Sequence, residues 1–288
     1  MTPFELMRPR SLRDALLLLD PDDPDVRPFA GGTALMLMMK AGLLKPRRLV
    51  SLRDVEAEYS RIAADSRELH IGSLARLSDL EHSSVVRAAA PVICDAMPRL
   101  SNVRVRNVAT VGGSLAHGDP HMDLPPVLCA LGARVSIAAA GGERSLPVEE
   151  LITGYMDTAL RRAELITRVT VPLQAGRRAA YLKCTARSAD DWPALGVAVR
   201  MDVDDGVVSG CSVFLSAATD RPTRARQAET ELLGHPAGEP SAARRAGEAA
   251  AAETALAGDS FASAEYKRQL VRVYVARAVA VACAGSHT

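Results

Sequence analysis

The chain has 288 residues, 48% of them hydrophobic and 24% charged, which suits a globular protein of two domains or one large one. A net charge of +1 and an aromatic content of 3% argue against a nucleic-acid binder, which needs a basic field or rings that stack on bases. The five cysteines are odd in number and scattered, with no C-x-x-C pair, so a disulfide framework, a structural zinc and a cysteine-held cluster are disfavoured and reduced core thiols are expected.

The N-terminus, MTPFELMRPR, has no basic region followed by an apolar signal core, and the longest apolar run, Ala34–Met39, is too short for a bilayer span. A cytoplasmic protein without a transmembrane segment is the expectation. Ser11 begins the first helix as a cap, with Asp14 in its first turn, and Pro21 and Pro24 end it. Val26–Ala30 reads as a strand that runs into Gly31-Gly32 and an apolar helix, Ala34–Ala41. With the strand Leu49–Leu52 this makes a small βαβ-like unit.

A second unit opens near Leu69–Gly72, with helical stretches at Leu80–Ala90 and Pro91–Leu100. Val103–Val111 reads as an apolar strand leading into the second glycine pair, Gly112-Gly113. Leu124–Leu131 is apolar, Arg134–Ala138 and Glu164–Pro172 read as strands, and Leu173–Arg178 as a linker. Beyond it, Ala180–Cys184, Gly196–Met201 and Val207–Leu215 read as three strands, the last two joined by a hairpin turn at Asp204-Asp-Gly206. Arg224–Leu233, Ala242–Leu256 and Ala264–Cys283 read as three helices. The expected class is α+β: a domain of residues 1–175, with subdomains of about 1–55 and 56–175, and a C-terminal domain of residues 176–288 built from a three-stranded antiparallel sheet and three helices.

Two glycine loops carry the chemistry. A pyrophosphate needs several backbone N–H groups at close range, and glycine allows that approach because it has no Cβ and accepts positive φ. Ala30-Gly31-Gly32-Thr33-Ala34-Leu35 lies at a strand–helix junction, where the helix dipole favours an anion. One such pair is also explained by a tight turn, and both G-x-G-x-x-G and the P-loop are missing. The second loop, Thr110-Val111-Gly112-Gly113-Ser114, repeats the arrangement. It continues into His117, Asp119, His121 and Asp123, a run that suits polar anchoring of a ribityl chain, a ribose or a flavin edge; Pro120 and the tight spacing disfavour a metal.

These loops, with Arg106-Asn-Val-Ala-Thr-Val-Gly-Gly-Ser-Leu-Ala and the Asp-Pro-x-x-Asp-Leu-Pro that follows, resemble the FAD-binding medium subunits of molybdenum hydroxylases, the xanthine dehydrogenase and carbon monoxide dehydrogenase family. Arg8-Pro-x-Ser-Leu, Ile71-Gly-Ser, Tyr181-x-Lys183, Ala264-Glu-Tyr-Lys-Arg and Arg277-Ala extend the resemblance over nearly the whole chain. It implies a two-subdomain FAD-binding domain of the vanillyl-alcohol-oxidase-like type, with both glycine loops embracing the FAD pyrophosphate. It implies that Asp123 hydrogen-bonds the cofactor, that Ile166 lies against the flavin, that Lys183 reaches its edge, and that Trp192, after the loop Ser188–Asp191, covers one face. Ile166 as an interior strand residue, Lys183 as a solvated strand end and Trp192 as a domain-packing residue are the alternatives from sequence alone. Ser114 departs from the asparagine of many relatives, and Thr33-Ala34 from a more polar pair.

By the same resemblance the chain is an oxidoreductase subunit that carries electrons from 2Fe-2S clusters on a small subunit to an external acceptor. Molybdopterin sits on a large subunit that selects the substrate, and the assembly is a dimer of heterotrimers. The competing readings are a stand-alone FAD-dependent oxidase or dehydrogenase, for which the C-terminal domain is slight, and a scaffold that has lost its cofactor, against which the intact loops speak.

Overall fold

The structure, a computed structural model, describes residues 2–174, 176–185, 188, 191–260 and 262–285. Ala189 and Asp190, in the loop before Trp192, lie outside the described residues, as does Ala175 in the expected linker.

The first subdomain contains β1 (Glu5–Met7), α1 (Leu12–Leu18), β2 (Val26–Phe29), α2 (Thr33–Lys40) and β3 (Arg48–Ser51). Its strands form a parallel sheet in the order β1-β3-β2, so the expected βαβ unit is present and gains β1 at its edge. Ser11 Oγ accepts from the Asp14 amide at 3.0 Å, which satisfies one of the first-turn donors of α1.

Next come β4 (Ile62–Ala64), β5 (Glu68–Gly72), α3 (Leu77–His82), α4 (Ser84–Ala89), α5 (Pro91–Ala96), α6 (Val103–Arg106), α7 (Val111–His117) and α8 (Leu124–Ala130). They are followed by β6 (Arg134–Ala139), β7 (Gly142–Pro147), α9 (Val148–Leu151), the two-stranded hairpin β8 (Ile152–Gly154) and β9 (Asp157–Thr158), and β10 (Leu165–Pro172). An antiparallel sheet, β4-β5-β10-β6-β7, backs this layer of short helices. The Leu80–Ala90 segment breaks at Ser83, whose hydroxyl caps the second piece by accepting from the Val86 amide at 3.2 Å.

The apolar run 103–111 is not the strand its composition suggests. Asn102 caps α6, accepting from Val105 N at 3.1 Å, and Thr110 caps α7. The side-chain caps bracketing both ends outweigh the β-branched valines, and the glycine pair falls inside the first turn of a helix.

The C-terminal part holds β11 (Arg177–Thr185), β12 (Pro193–Asp204), β13 (Val207–Ser216), β14 (Thr223–Arg224), α10 (Arg226–Leu232), α11 (Pro240–Glu253) and α12 (Ala264–Ala284). Its antiparallel sheet has four strands, not three: β14, a two-residue edge too short to announce itself, pairs with β13 through Leu215 and Phe214. Asp205 and Gly206 both take positive φ in the expected hairpin turn.

Both faces of this sheet are covered. Tyr181, Ala198 and Phe214 join the core of the preceding helices, with α8 packed on β12 and β13, while Val197, Val199, Val213 and Leu215 face α10 and α12. Burial on both sides explains the nearly continuous apolar sequence of β12 and β13. It also makes the N-terminal end of α8 part of the boundary between the two halves of the chain.

Candidate functional site

The two glycine loops meet. A Cβ on Gly31 would lie 2.2 Å from the carbonyl oxygen of Val108 and 2.9 Å from the Ala109 Cα, so glycine is what lets the first loop rest on the segment entering the second. Gly32 takes φ 74° as the N-cap of α2, and with no side chain to offer it leaves the first-turn amides, Thr33 to Leu35, without a side-chain acceptor. These amides and the positive end of α2 are what the sequence expects of an anion site.

The second loop works differently. Val111 N donates to Ala75 O at 3.0 Å, Gly112 N to Ser73 O at 2.7 Å, Gly113 N to Thr110 Oγ1 at 3.2 Å and Ser114 N to Thr110 O at 2.9 Å. The backbone amides expected to cradle a phosphate here are therefore committed inside the protein. The tightness of Gly112 has an internal cause as well, since a Cβ there would lie 2.7 Å from the Ser73 Cβ. What this loop leaves available is a side chain: Ser114 Oγ is buried and without a hydrogen-bond partner among the described residues.

After α7 the chain turns through Gly118 into a polar loop. His121 donates to Asp119 Oδ1 from its backbone (2.9 Å), and its Nδ1 lies 3.0 Å from the same oxygen. Its Nε2 lies 3.1 Å from Asp259 Oδ2, so each ring nitrogen faces a carboxylate. A neutral imidazole has one N–H and could serve only one of them. Burial alone would lower the His121 pKa, but the two carboxylates outweigh it and hold it above the ordinary value. Burial likewise opposes the Asp119 carboxylate, yet the bonds from His121 bring its pKa below the usual value. His117, mainly desolvated, titrates below an ordinary histidine. Asp119 is 2% exposed, and its Oδ2 has no partner among the described residues.

Trp192 stacks on the His121 ring, with centroids 5.5 Å apart and planes 13° from parallel, and it remains 50% exposed. One face of the indole thus belongs to the protein. Ile166 lies on β10, buried in the core, beside a narrow crevice that Leu12, Leu52, Tyr59 and Ser73 also line.

Asp123 and Lys183 turn to each other. Their side chains bond each other, Nζ to Oδ2 at 3.0 Å, and Lys183 also donates to Arg99 O at 2.7 Å. Tyr181 Oη donates to the other Asp123 oxygen at 2.5 Å. The Lys183 side chain is 2% exposed, so it is neither a solvated strand end nor a group reaching outward. Both carboxylate oxygens of Asp123 are taken as well. Burial raises the Asp123 pKa against the opposing pull of Lys183 and Tyr181, and burial beside that carboxylate raises Tyr181 far above its usual value. Tyr181, Asp259 and Lys267 are polar partners that the motif reading did not assign to the site. The pairing of Tyr181-x-Lys183 on one face of a strand was the available signal for the first.

The fittings match a flavin dinucleotide: among the described residues, helix-end amides at α2 without a side-chain cap, an unpartnered hydroxyl at Ser114, an unpartnered carboxylate oxygen at Asp119, and an indole half exposed to solvent.

Comparison with known proteins agrees. Residues 2–174 match the family model of the FAD binding domain in molybdopterin dehydrogenase, and residues 180–282 that of the CO dehydrogenase flavoprotein C-terminal domain. The carbon monoxide dehydrogenase medium chain of Afipia carboxidovorans is 31% identical over 277 residues, covering 96% of this chain and 95% of its own length. The glyceraldehyde dehydrogenase medium chain of Sulfolobus acidocaldarius is 29% identical, covering 80% and 81%. Among solved structures, a chain of carbon monoxide dehydrogenase from Hydrogenophaga pseudoflava superposes with a TM-score of 0.93 at 32% identity, with 99% of each chain covered. The chain therefore belongs to the family of FAD-binding flavoprotein subunits of molybdopterin-dependent dehydrogenases.

Proposed function

We propose that this chain holds FAD where the two glycine loops meet the polar loop 117–123, and relays electrons from iron–sulfur clusters on a small partner subunit to an external acceptor. The molybdopterin centre, and with it substrate choice, is assigned to a large partner subunit, in a dimer of heterotrimers. The observation that carries the reading is the set of polar groups at the loops left without a side-chain cap or partner among the described residues: the amides of Thr33 to Leu35, Ser114 Oγ and Asp119 Oδ2. The relatives' names, which describe medium chains and subunits of dehydrogenases, support the division of labour.

Bound FAD supplies a carrier that accepts electrons singly and releases them in pairs. In this reading the α2 amides receive the pyrophosphate, with Ala30, Gly31 and Gly32 setting their approach. Thr110, Val111, Gly112 and Gly113 serve as the rigid wall that brings Ser114, His117 and Asp119 into place. Trp192, half exposed beside the polar loop, stacks an aromatic ring, and Ile166 closes the apolar side. Asp123 and Lys183 act as a buried pair behind the site, not as direct contacts.

The assignment divides the chain into a FAD-binding domain of 1–175, with subdomains of about 1–55 and 56–175 laid out in the vanillyl-alcohol-oxidase-like manner, and a C-terminal domain of 176–288. The separate sheets β1-β3-β2, β4-β5-β10-β6-β7 and β11-β12-β13-β14 support it. The five cysteines are all free, which supports a reducing, cytoplasmic setting, and among the described residues no helix is long and apolar enough to cross a membrane.

The purified protein should be yellow and release stoichiometric FAD on denaturation. A colourless protein without FAD affinity would sink the reading, and substrate oxidation by the chain alone would replace the relay with a stand-alone enzyme.

A further inference from the structure

Asp119 presents an unusual balance. Its Oδ1 takes two bonds from His121, while its Oδ2, in a residue 98% buried, takes none among the described residues. A buried acceptor left without a donor is disfavoured, and folded proteins keep few of them. The carboxylate is held rigidly all the same. His121 reaches across to Asp259, whose Oδ1 accepts from the Ala262 amide at 3.1 Å and whose Oδ2 accepts from Lys267 Nζ at 2.6 Å. Lys267 is 1% exposed and also donates to Ala217 O at 2.6 Å. Ala217 N in turn donates to Pro120 O at 3.0 Å, so the loop is tied to the C-terminal domain at both residues that follow Asp119.

We infer that His121, Asp259 and Lys267 form a positioning relay across the domain boundary, which fixes Asp119 so that its free oxygen accepts a hydrogen bond from a sugar hydroxyl of bound FAD. The inference rests on the FAD reading above. An ionised carboxylate can only accept, so its missing partner is a donor, and the hydroxyls of the ribityl chain and of the adenosine ribose are the donors FAD offers in number. The three relay residues touch Asp119 or one another and are positioning residues. Their consequence is that the cofactor's hold on the N-terminal domain depends on a lysine buried in the last long helix. Folding of the C-terminal domain onto the loop then completes the FAD site.

The test is a titration of deflavinated protein, purified with whatever subunits accompany it, followed by quenching of flavin fluorescence. Asp119→Asn should weaken FAD binding at least tenfold, and His121→Leu or Lys267→Met should do so by a similar factor. His121→Gln carries the same test should His121→Leu fail to fold. The decisive measurement is the double variant: adding His121→Leu to Asp119→Asn should cost little more, because the relay acts through that carboxylate. ADP competition separates the two hydroxyl sources. An ADP affinity that falls with FAD affinity assigns the adenosine ribose, and an unchanged one assigns the ribityl chain. Wild-type FAD affinity in Asp119→Asn overturns the inference, as does a full additional loss from His121→Leu in that background. Absence of FAD binding by the wild type would overturn the underlying reading instead.

Discussion

Gly31 and Val108 stand in such close contact that a β-carbon on the glycine would lie 2.2 Å from the valine carbonyl oxygen, so the two glycine loops are one structural unit. The contact changes what a glycine substitution does here. At Gly31 and Gly112 the space a side chain would need is filled by the protein itself, Val108 in one case and Ser73 in the other.

Gly112→Ala should accordingly lower the stability of the protein before any question of cofactor arises. Overpacking of this kind costs about 1–3 kcal/mol, and the loss should appear in denaturant unfolding of the FAD-free protein. An unchanged unfolding midpoint with lost FAD affinity would restore the view that the glycine directly makes room for the pyrophosphate.

Ser114→Ala should behave in the opposite way. The hydroxyl has no partner among the described residues, so its removal should leave the melting temperature of the FAD-free protein unchanged or slightly raised. FAD affinity should fall several-fold, by about the 1 kcal/mol of one neutral hydrogen bond. A calorimetric melt beside a flavin titration checks both halves.

Asp123→Asn and Lys183→Met each strand the other member of a buried ion pair. Breaking such a pair by removing one partner costs about 3–5 kcal/mol, whereas replacing both with apolar groups costs far less. The single variants should unfold at markedly lower denaturant than the double variant Asp123→Leu/Lys183→Met. Additive losses would show that the pair is not coupled. Since both residues are committed to each other, their effect on FAD should follow the effect on folding.

The His121 bridge makes stability depend on pH at both ends. The two carboxylates that face His121 hold its pKa above the ordinary 6.5. Its contribution is therefore complete below that value and is lost as the pH rises through the higher folded-state pKa. Asp119 has a pKa lowered from 3.8, so its contribution is present above that value and is lost as the pH falls through the lower folded-state pKa. Between about pH 4 and 6.5 both are in place. The melting temperature of His121→Gln should fall below the wild type most in this window, with the gap narrowing on the alkaline side. A gap that is constant from pH 5 to 9 would show that the charged bridge contributes nothing.

Much of the architecture could be read from local chemistry. The Ser11 cap, the Asp205-Gly206 turn, the strand–loop–helix of Val26–Lys40 and the long terminal helix all arise from interactions within a few residues, where capping, turn geometry and periodicity act. The same locality misled at 103–111, where apolar β-branched residues suggested a strand. Helix caps at Asn102 and Thr110, together with the docking of Gly112 on Ser73, turned the segment into two helices. β14 was invisible because two residues carry no period.

The sequence by itself determined where two glycine loops and a polar run stand in the chain, because close backbone approach and exchange of hydrogen bonds demand those residue types wherever they fold. Only the tertiary structure decided which of their polar groups are already spent. The amides of the second loop are spent on Ser73, Ala75 and Thr110, Lys183 is bound to a carboxylate 60 positions away, and His121 joins Asp119 to Asp259 across 138. Those partners are set by the packing of the C-terminal sheet against α8 and by the cost of burying a polar group without one.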